Sequence, residues 1–454
     1  MLDLTPKEIV ERTALRINPA KTCQPVGAMY AALGVHRCMP HSHGSQGCCS
    51  YHRTFLTRHF KEPAIASSSS FTEGSSVFGG GSNLKTAIKN IFDIYKPDII
   101  AVHTTCLSET IGDDVGAFIQ DMDIEEDKYV VHCHTPSYVG SHITGYGNMI
   151  AGFIRYLSRS TGHKHNRLNI IPGFVNPGDM RELKRILDLM EIPFIMLPDT
   201  SGVLDAPMLG SYTMYPPGGT RINDIIAMGD SPLTLALGEL TCEVPANELK
   251  RKCGVDYKLL PLPMGIGATD RFIMALSEFS GHEVPYALEE ERGQLIDILL
   301  DSHPYFHGKS VAIYGDPDTV LGITALVLEM GMIPKFVITG TPGEAFTGKA
   351  QEMFDTFGVT GCTAKAFSDL FELHQWIKND RVDLLIGGSY GKQIAKAEDI
   401  PLVRAGFPIL DRYVHSYMPL LGYRGAMRLV EMILNALMDR RDRDCADEDL
   451  ELVM

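Results

Sequence analysis

Ten short, continuous apolar runs, each opened by a polar turn and followed by a helical pattern, constrain this chain more than any other feature. They are PDIIAVHTTC (97–106), KYVVHCHTP (128–136), RLNIIPGF (167–174), PFIMLPDTS (193–201), PLTLALG (232–238), KLLPLPMG (258–265), KSVAIYGDPD (309–318), PKFVITGTPG (334–343), VDLLIGGSYG (382–391) and PLVRAGFPI (401–409). Runs of this length and β-branched content read as strands. Strands buried on both faces are continuous in hydrophobicity, and strands separated by helices lie parallel in one sheet. The expected fold class is α/β, with doubly wound domains of mostly parallel sheets flanked by helices. Such sheets bind ligands beyond the carboxyl ends of their strands. Those ends read HTTC, HTPS, PDTS, YGDPD, TGTPG and GGSYG, and function is expected on the loops that follow.

At ~150 residues per domain, 454 residues suggest three domains, with two or four as the alternatives. Polar breaks at HKHNR (163–167) and EVPYALEEERG (283–293) place expected cuts near 160 and 300, giving 1–160, 161–300 and 301–454. Ser67–Ser70 is read as a loop. With 41 Lys+Arg against 56 Asp+Glu the net charge is −15, so nucleic acid is not an expected partner. The start, MLDLTPKEIVERTALRINP, has no apolar core of a signal segment, and no later run reaches ~18 apolar residues. A cytoplasmic protein that does not span a membrane is expected.

Ten cysteines in such a chain are expected to be reduced, which makes metal ligation worth testing. Cys23 in TCQPVGAMYAALG, Cys48 in HGSQGCCSYHRTFLTRHF and Cys106 in HTTCLSET all fall at predicted helix starts. Ser137 in HTPSYVGSHITGY repeats the arrangement. A helix N-terminus offers unpaired N–H groups and positive partial charge, which favour a thiolate or a cluster sulfide. Iron–sulfur clusters use such ligands, but three cysteines cannot complete an ordinary four-iron cluster. The competing readings are buried cysteines that act as small hydrophobes and, for Ser137, a plain N-cap. No CxxC pair decides between them. Cys49 adjoins Cys48, but neighbouring helical residues point ~100° apart, so the two are not expected to face one iron.

At these residues the chain resembles the β-chain family of the nitrogenase molybdenum–iron proteins, in the short form without a long N-terminal extension. TCQPVGAMYAALG, MPHSHGSQGCCSYHRTFLTRHFKEP, SVFGGGSN, HTTCLSETIGDD, HTPSYVGSHITGY, SYGKQIA and GFPILDRY match family blocks in the family's order. The resemblance implies three doubly wound domains and an α2β2 heterotetramer with a nitrogenase α chain. It also implies an [8Fe-7S] P-cluster shared with that chain, with Cys23, Cys48 and Cys106 on the family's cysteine ligands and Ser137 on its serine ligand. The iron–molybdenum cofactor is then implied on the α chain, and this chain carries no catalytic residue of its own. The implied function is electron relay to that cofactor for ATP-dependent reduction of dinitrogen to ammonia.

The same resemblance implies docking of the iron protein, an ATP-hydrolysing reductase, with Phe78 of SVFGGGSN as a contact. The plain alternative is a loop phenylalanine packed on the body. Asp297 and Asp301 are four apart on a predicted helix and share a face, which suits a hard cation. With Glu62 of FKEP they match family carboxylates that hold a mononuclear metal, iron or calcium, between two β chains. The alternative is a solvated acidic face. Rival assignments are the β chain of a vanadium or iron-only nitrogenase and a cofactor-assembly scaffold of the same superfamily.

Overall fold

The computed structural model describes residues 4–10, 12, 16–208 and 210–450. The first sheet contains β1 (Cys38–His43), β2 (Ser67–Ser68), β3 (Ile99–Thr104) and β4 (Tyr129–Cys133) in the order β2-β1-β3-β4. The second contains β5 (Leu168–Ile171), β6 (Phe194–Met196), β7 (Thr234–Leu237) and β8 (Tyr257–Leu260) in the order β6-β5-β7-β8. The third contains β9 (Ser310–Gly315), β10 (Ile333–Thr339), β11 (Thr363–Lys365), β12 (Leu384–Gly387) and β13 (Leu402–Arg404) in the order β11-β10-β9-β12-β13. The strand pairings in all three are parallel. Helices fill the connections, so the α/β class expected from the runs is the observed one, and each run overlaps a strand.

Three strands have no such run. β1 reads CMPHSH yet is buried at every position, because its polar side chains bond to groups beside them rather than to water. Ser67 and Ser68, expected in a loop, form the edge strand β2 against His41 and Ser42. The chain falls into two compact units. One holds Thr22–Pro261 with Tyr413–Met418, and hence the first two sheets. The other holds the described residues of 1–21, 262–412 and 419–450 with the third sheet.

In the first sheet, Met39, Ile100 and Val102 pack against Leu84, Ile88 and Ile91 of the helix Gly81–Tyr95. These helix residues recur at i, i+4 and i+7 and so form one stripe. Each contributes ~1.5–3 kcal/mol on burial. Helix α1 (Gln24–Leu33) is buried at every position. Its Tyr30 ring stacks on Phe60 at 5.0 Å and meets Phe174 edge-on at 5.1 Å.

α1 crosses the helix His142–Leu157 at very short range. A Cβ on Gly27 would lie 1.7 Å from the His142 carbonyl oxygen, and one on Gly145 would lie 1.9 Å from that of Gln24. Two glycines therefore bring the backbones into direct contact. Among the described residues no helix is long and apolar enough to cross a membrane.

Candidate metal centre

The strand order of the first sheet reverses between β1 and β3, which opens a crevice at their carboxyl ends. β1 ends at His43, and the chain turns through Gly44 into α2 (Gln46–Phe60), with Cys48 in its first turn. The Ser45 hydroxyl accepts from the Gly47 N–H at 3.2 Å and caps this helix. β3 ends at Thr104, and Cys106 opens the helix Cys106–Ile111. The two loops are bonded to each other. The Thr105 N–H and hydroxyl each donate to the His43 carbonyl at 3.2 Å, and the Ser108 hydroxyl donates to the same oxygen at 2.8 Å. A Cβ on Gly44 would sit 1.9 Å from Thr105 Oγ1, so glycine is what lets the loops touch.

This arrangement brings three of the expected residues together. The Cys48 thiol lies within hydrogen-bonding reach of the Cys106 sulfur and within electrostatic reach of Cys23. Cys23 is the N-cap residue of α1, in extended backbone, and its side chain makes no capping bond. All three are reduced and half-buried. Burial pushes the Cys48 thiol up, and Cys106 and Cys23 push it the same way. Desolvation and mutual repulsion thus outweigh the helix-end charge that the sequence suggested would favour a thiolate at Cys48. Three sulfurs in one crevice become anionic together only against concentrated positive charge, and that donor chemistry fits an iron–sulfur cluster.

Among the described residues no three His, Cys, Asp or Glu side chains are arranged to hold a single metal ion. The cysteines therefore do not close a mononuclear site within this chain. Cys49 is buried and its thiol donates to the Ser67 carbonyl at 3.3 Å, toward β2.

Ser137 is not at a helix start. It lies in a turn at 137–138, and the following helix begins at His142 with Ser141 as its cap. The Ser141 hydroxyl accepts from the Ile143 N–H, and Thr144 Oγ1 accepts from the Ser141 N–H. Ser141 is the better cap because Gly140, at φ +62°, turns the chain just before it. Both the helix-start expectation and the plain N-cap alternative are therefore corrected. The turn that carries Ser137 is nonetheless anchored to the Cys23 side of the crevice, by Gln24. Gln24 Nε2 donates to the Pro136 carbonyl at 3.1 Å and to the Val139 carbonyl at 3.0 Å.

Beneath the crevice lies a buried polar array that no apolar run reveals. His41 bonds Ser67 Oγ at 2.9 Å and Ser69 Oγ at 2.8 Å. His43 bonds Ser69 Oγ at 2.9 Å and Asp113 Oδ2 at 3.0 Å, and His103 bonds Ser42 Oγ at 2.7 Å. His52, on α2, lies 6.2 Å from His103 ring to ring. Burial lowers His41 to about 3, His52 to about 4 and His103 well below its usual range. Burial also lowers His43, against the pull of Asp113. The available signal was the motif PHSH itself, four non-aliphatic residues between Met39 and a glycine turn.

Phe78 ends helix α3 (Glu73–Phe78) and is 90% exposed, so it is not packed on the body. The Asp113 carboxylate accepts from the Gly80 N–H at 3.1 Å, which ties this turn to the segment after the Cys106 helix. Asp297 and Asp301 stand on the exposed face of the helix Tyr286–Phe306, opposite buried Leu295 and Leu299. Glu62 is half-buried, one residue past the left-handed Lys61 that ends α2.

The sequence model of the family described as nitrogenase component 1 type oxidoreductase matches residues 23–438. The nitrogenase molybdenum-iron protein beta chain of Clostridium pasteurianum is 60% identical over the full length of both chains. That of Azotobacter vinelandii is 39% identical over 96% of this chain and 86% of its own. A solved structure, nitrogenase Cp1 at pH 6.5, superposes with a TM-score of 0.99 at 60% identity, covering all of both chains. A chain of nitrogenase Cp1 at pH 5 shares the fold at 18% identity and a TM-score of 0.69, over 97% of this chain and 92% of that one.

Proposed function

The chain belongs to the nitrogenase component 1 type oxidoreductases, among the β chains of molybdenum–iron proteins, and on that premise we propose that it is the electron-relaying subunit of a molybdenum nitrogenase. A β chain works with a partner α chain, and membership of this family implies iron–sulfur clusters. In this reading Cys23, Cys48, Cys106 and Ser137 hold one half of an [8Fe-7S] P-cluster. The α chain supplies the other half and carries the iron–molybdenum cofactor, and two copies of each chain assemble as α2β2 in the cytoplasm. When bound, the cluster supplies reversible storage of electrons.

The observation that carries the reading is the convergence of Cys48 with Cys106 and Cys23 at the β1/β3 reversal. The work of the protein's own groups follows from their surroundings. The half-buried sulfurs limit water around the metal group, and the helix-start N–H groups can donate to its sulfides. Ser137 Oγ keeps its proton in water and gives it up only beside a strongly electron-poor metal, since an alkoxide is far more basic than a thiolate. The exposed Phe78 offers the iron protein an aromatic anchor held by the Asp113 bond to its turn. Asp297 and Asp301, on one open helix face, have room for a mononuclear iron or calcium whose further ligands come from a second copy, with Glu62 among them.

Native mass and metal analysis of the purified complex test the proposal. Iron with molybdenum in a two-plus-two assembly is expected. Vanadium, or iron alone, would move the chain to another nitrogenase type, and an absence of iron would overturn the relay. A cluster surrendered intact to a second protein would identify a scaffold.

A further inference from the structure

Gln24 is 2% exposed, and its amide is saturated in a way that leaves it one orientation. Both of its N–H groups are used, on the carbonyls of Pro136 and Val139, and its carbonyl accepts from Asn148 Nδ2 at 3.3 Å. Asn148 is itself fixed by donating to the His134 carbonyl at 3.2 Å. The two carbonyls that Gln24 holds bracket Ser137 on either side.

The surroundings leave this amide little room. A Cβ on Gly140 would come within 3.1 Å of Gln24 Nε2, and one on Gly145 would lie 1.9 Å from the backbone carbonyl oxygen of Gln24, so the main chain that carries the side chain is packed as closely as the amide itself. Gln24 is also covalently next to Cys23, the N-cap of α1. The turn is pinned further at its near end, where Thr135 donates from its N–H to Thr104 Oγ1 at 2.7 Å and from its hydroxyl to the Thr104 carbonyl at 2.6 Å. Tyr138 and Val139, by contrast, are exposed. A serine in a surface turn ordinarily samples several positions, and here one buried side chain removes that freedom from the direction of Cys23.

We propose that Gln24 is a positioning residue for Ser137, fixing the reach of its hydroxyl relative to the Cys23 sulfur so that both meet one metal group. This rests on the reading of Ser137 as an oxygen ligand, and it adds a residue that touches no metal. A ligand site has to be held within about 0.5 Å of its working geometry, and the shell behind the ligands does the holding.

The test is the midpoint potential of the iron–sulfur signal in the purified complex at one fixed pH. Wild type, Ser137→Ala, Gln24→Met and the double variant are compared, with iron content measured for each. Methionine keeps the length and volume of Gln24 but donates nothing. Gln24→Met is expected to retain its iron and to shift the midpoint in the same direction as Ser137→Ala and by a comparable amount. The double variant is expected to shift no further than Ser137→Ala alone, because Gln24 acts through Ser137. A shift in Ser137→Ala with none in Gln24→Met overturns the positioning role and leaves the ligand. No shift in Ser137→Ala overturns the ligand, and the positioning role falls with it. Additive shifts in the double variant overturn it as well. Should Gln24→Met hold no iron, Asn148→Ala, which removes the donor that orients the amide, takes its place under the same comparisons.

Discussion

Gly27→Ala is the substitution for which the fold and a propensity argument disagree in sign. On an open helix surface alanine is favoured over glycine by ~0.5–1 kcal/mol. At Gly27 the new Cβ would lie 1.7 Å from the His142 carbonyl oxygen, 2.6 Å from its carbon and 2.8 Å from the Tyr146 nitrogen. All three are backbone atoms and cannot turn aside. Bringing the first contact to 3.0 Å, the limit that real Cβ atoms respect, parts the backbones by about 1.3 Å. That separation breaks a reciprocal pair in which His142 N donates to the Thr22 carbonyl at 3.0 Å and Thr22 N donates to His142 Nδ1 at 3.3 Å.

Overpacking costs ~1–3 kcal/mol even where side chains can adjust, and each lost bond removes ~1 kcal/mol. The net destabilisation expected for Gly27→Ala is therefore ~3 kcal/mol or more. The displacement also exceeds the ~0.5 Å tolerance of a ligand site, so Cys23 and the Ser137 turn should lose their common register and the iron content should fall. Gly293→Ala is the control. It lies in the helix Tyr286–Phe306 with nothing within 4 Å of its added Cβ, and it should stabilise slightly. Urea unfolding followed by circular dichroism, with iron per subunit, reads both variants. A Gly27→Ala protein with an unchanged midpoint and full iron would refute the close crossing.

Cys48→Ala should abolish cluster assembly while Cys49→Ala is mild, because only Cys48 shares the crevice with Cys106; iron content and visible absorption decide, and the reverse result would exchange the two roles. Phe78→Arg should raise the iron-protein concentration needed for half-maximal turnover and leave turnover with a small reductant unchanged; equal losses with both would place Phe78 in the fold. The third concerns acid. His41, His52 and His103 are neutral when folded and titrate near 6.5 when unfolded. Unfolding therefore takes up protons below pH 6.5. His41 and His52 should each remove ~1.4 kcal/mol of stability per pH unit between about pH 6.5 and 4, His103 should act in the same direction below 6.5, and none should contribute above pH 7. His52→Phe should flatten that slope by one proton, and an unchanged slope would show that His52 is not held neutral.

The parallel sheets were legible because strands covered on both faces leave an uninterrupted apolar run, and ten of them did. β1 was not, because CMPHSH is buried by a different route. His41, Ser42 and His43 exchange hydrogen bonds with Ser67, Ser69, His103 and Asp113, so polar residues occupy core positions without a desolvation penalty that a pattern rule would register. The same strand hid β2, since two serines are recognisable as a strand only once their partners are placed.

The placement of the three thiols at helix starts was legible for a related reason. Cys23 caps α1, Cys48 lies in the first turn of α2 and Cys106 opens the helix after β3, and thiols at helix starts are few enough to single out. For Ser137 the local structure was misjudged, because a cap is decided by competition, and Ser141 with Thr144 wins it. Gln24 left no trace at all. A glutamine in the first turn of a helix is unremarkable until Pro136 and Val139, more than a hundred residues away, are found on its two N–H groups. Ligand atoms must be of a few chemical kinds and can be sought by type, whereas the residues that hold ligands in place can be of any kind. They are defined only by what the fold brings to them, so the supporting shell of a site is the part that composition and spacing do not reveal.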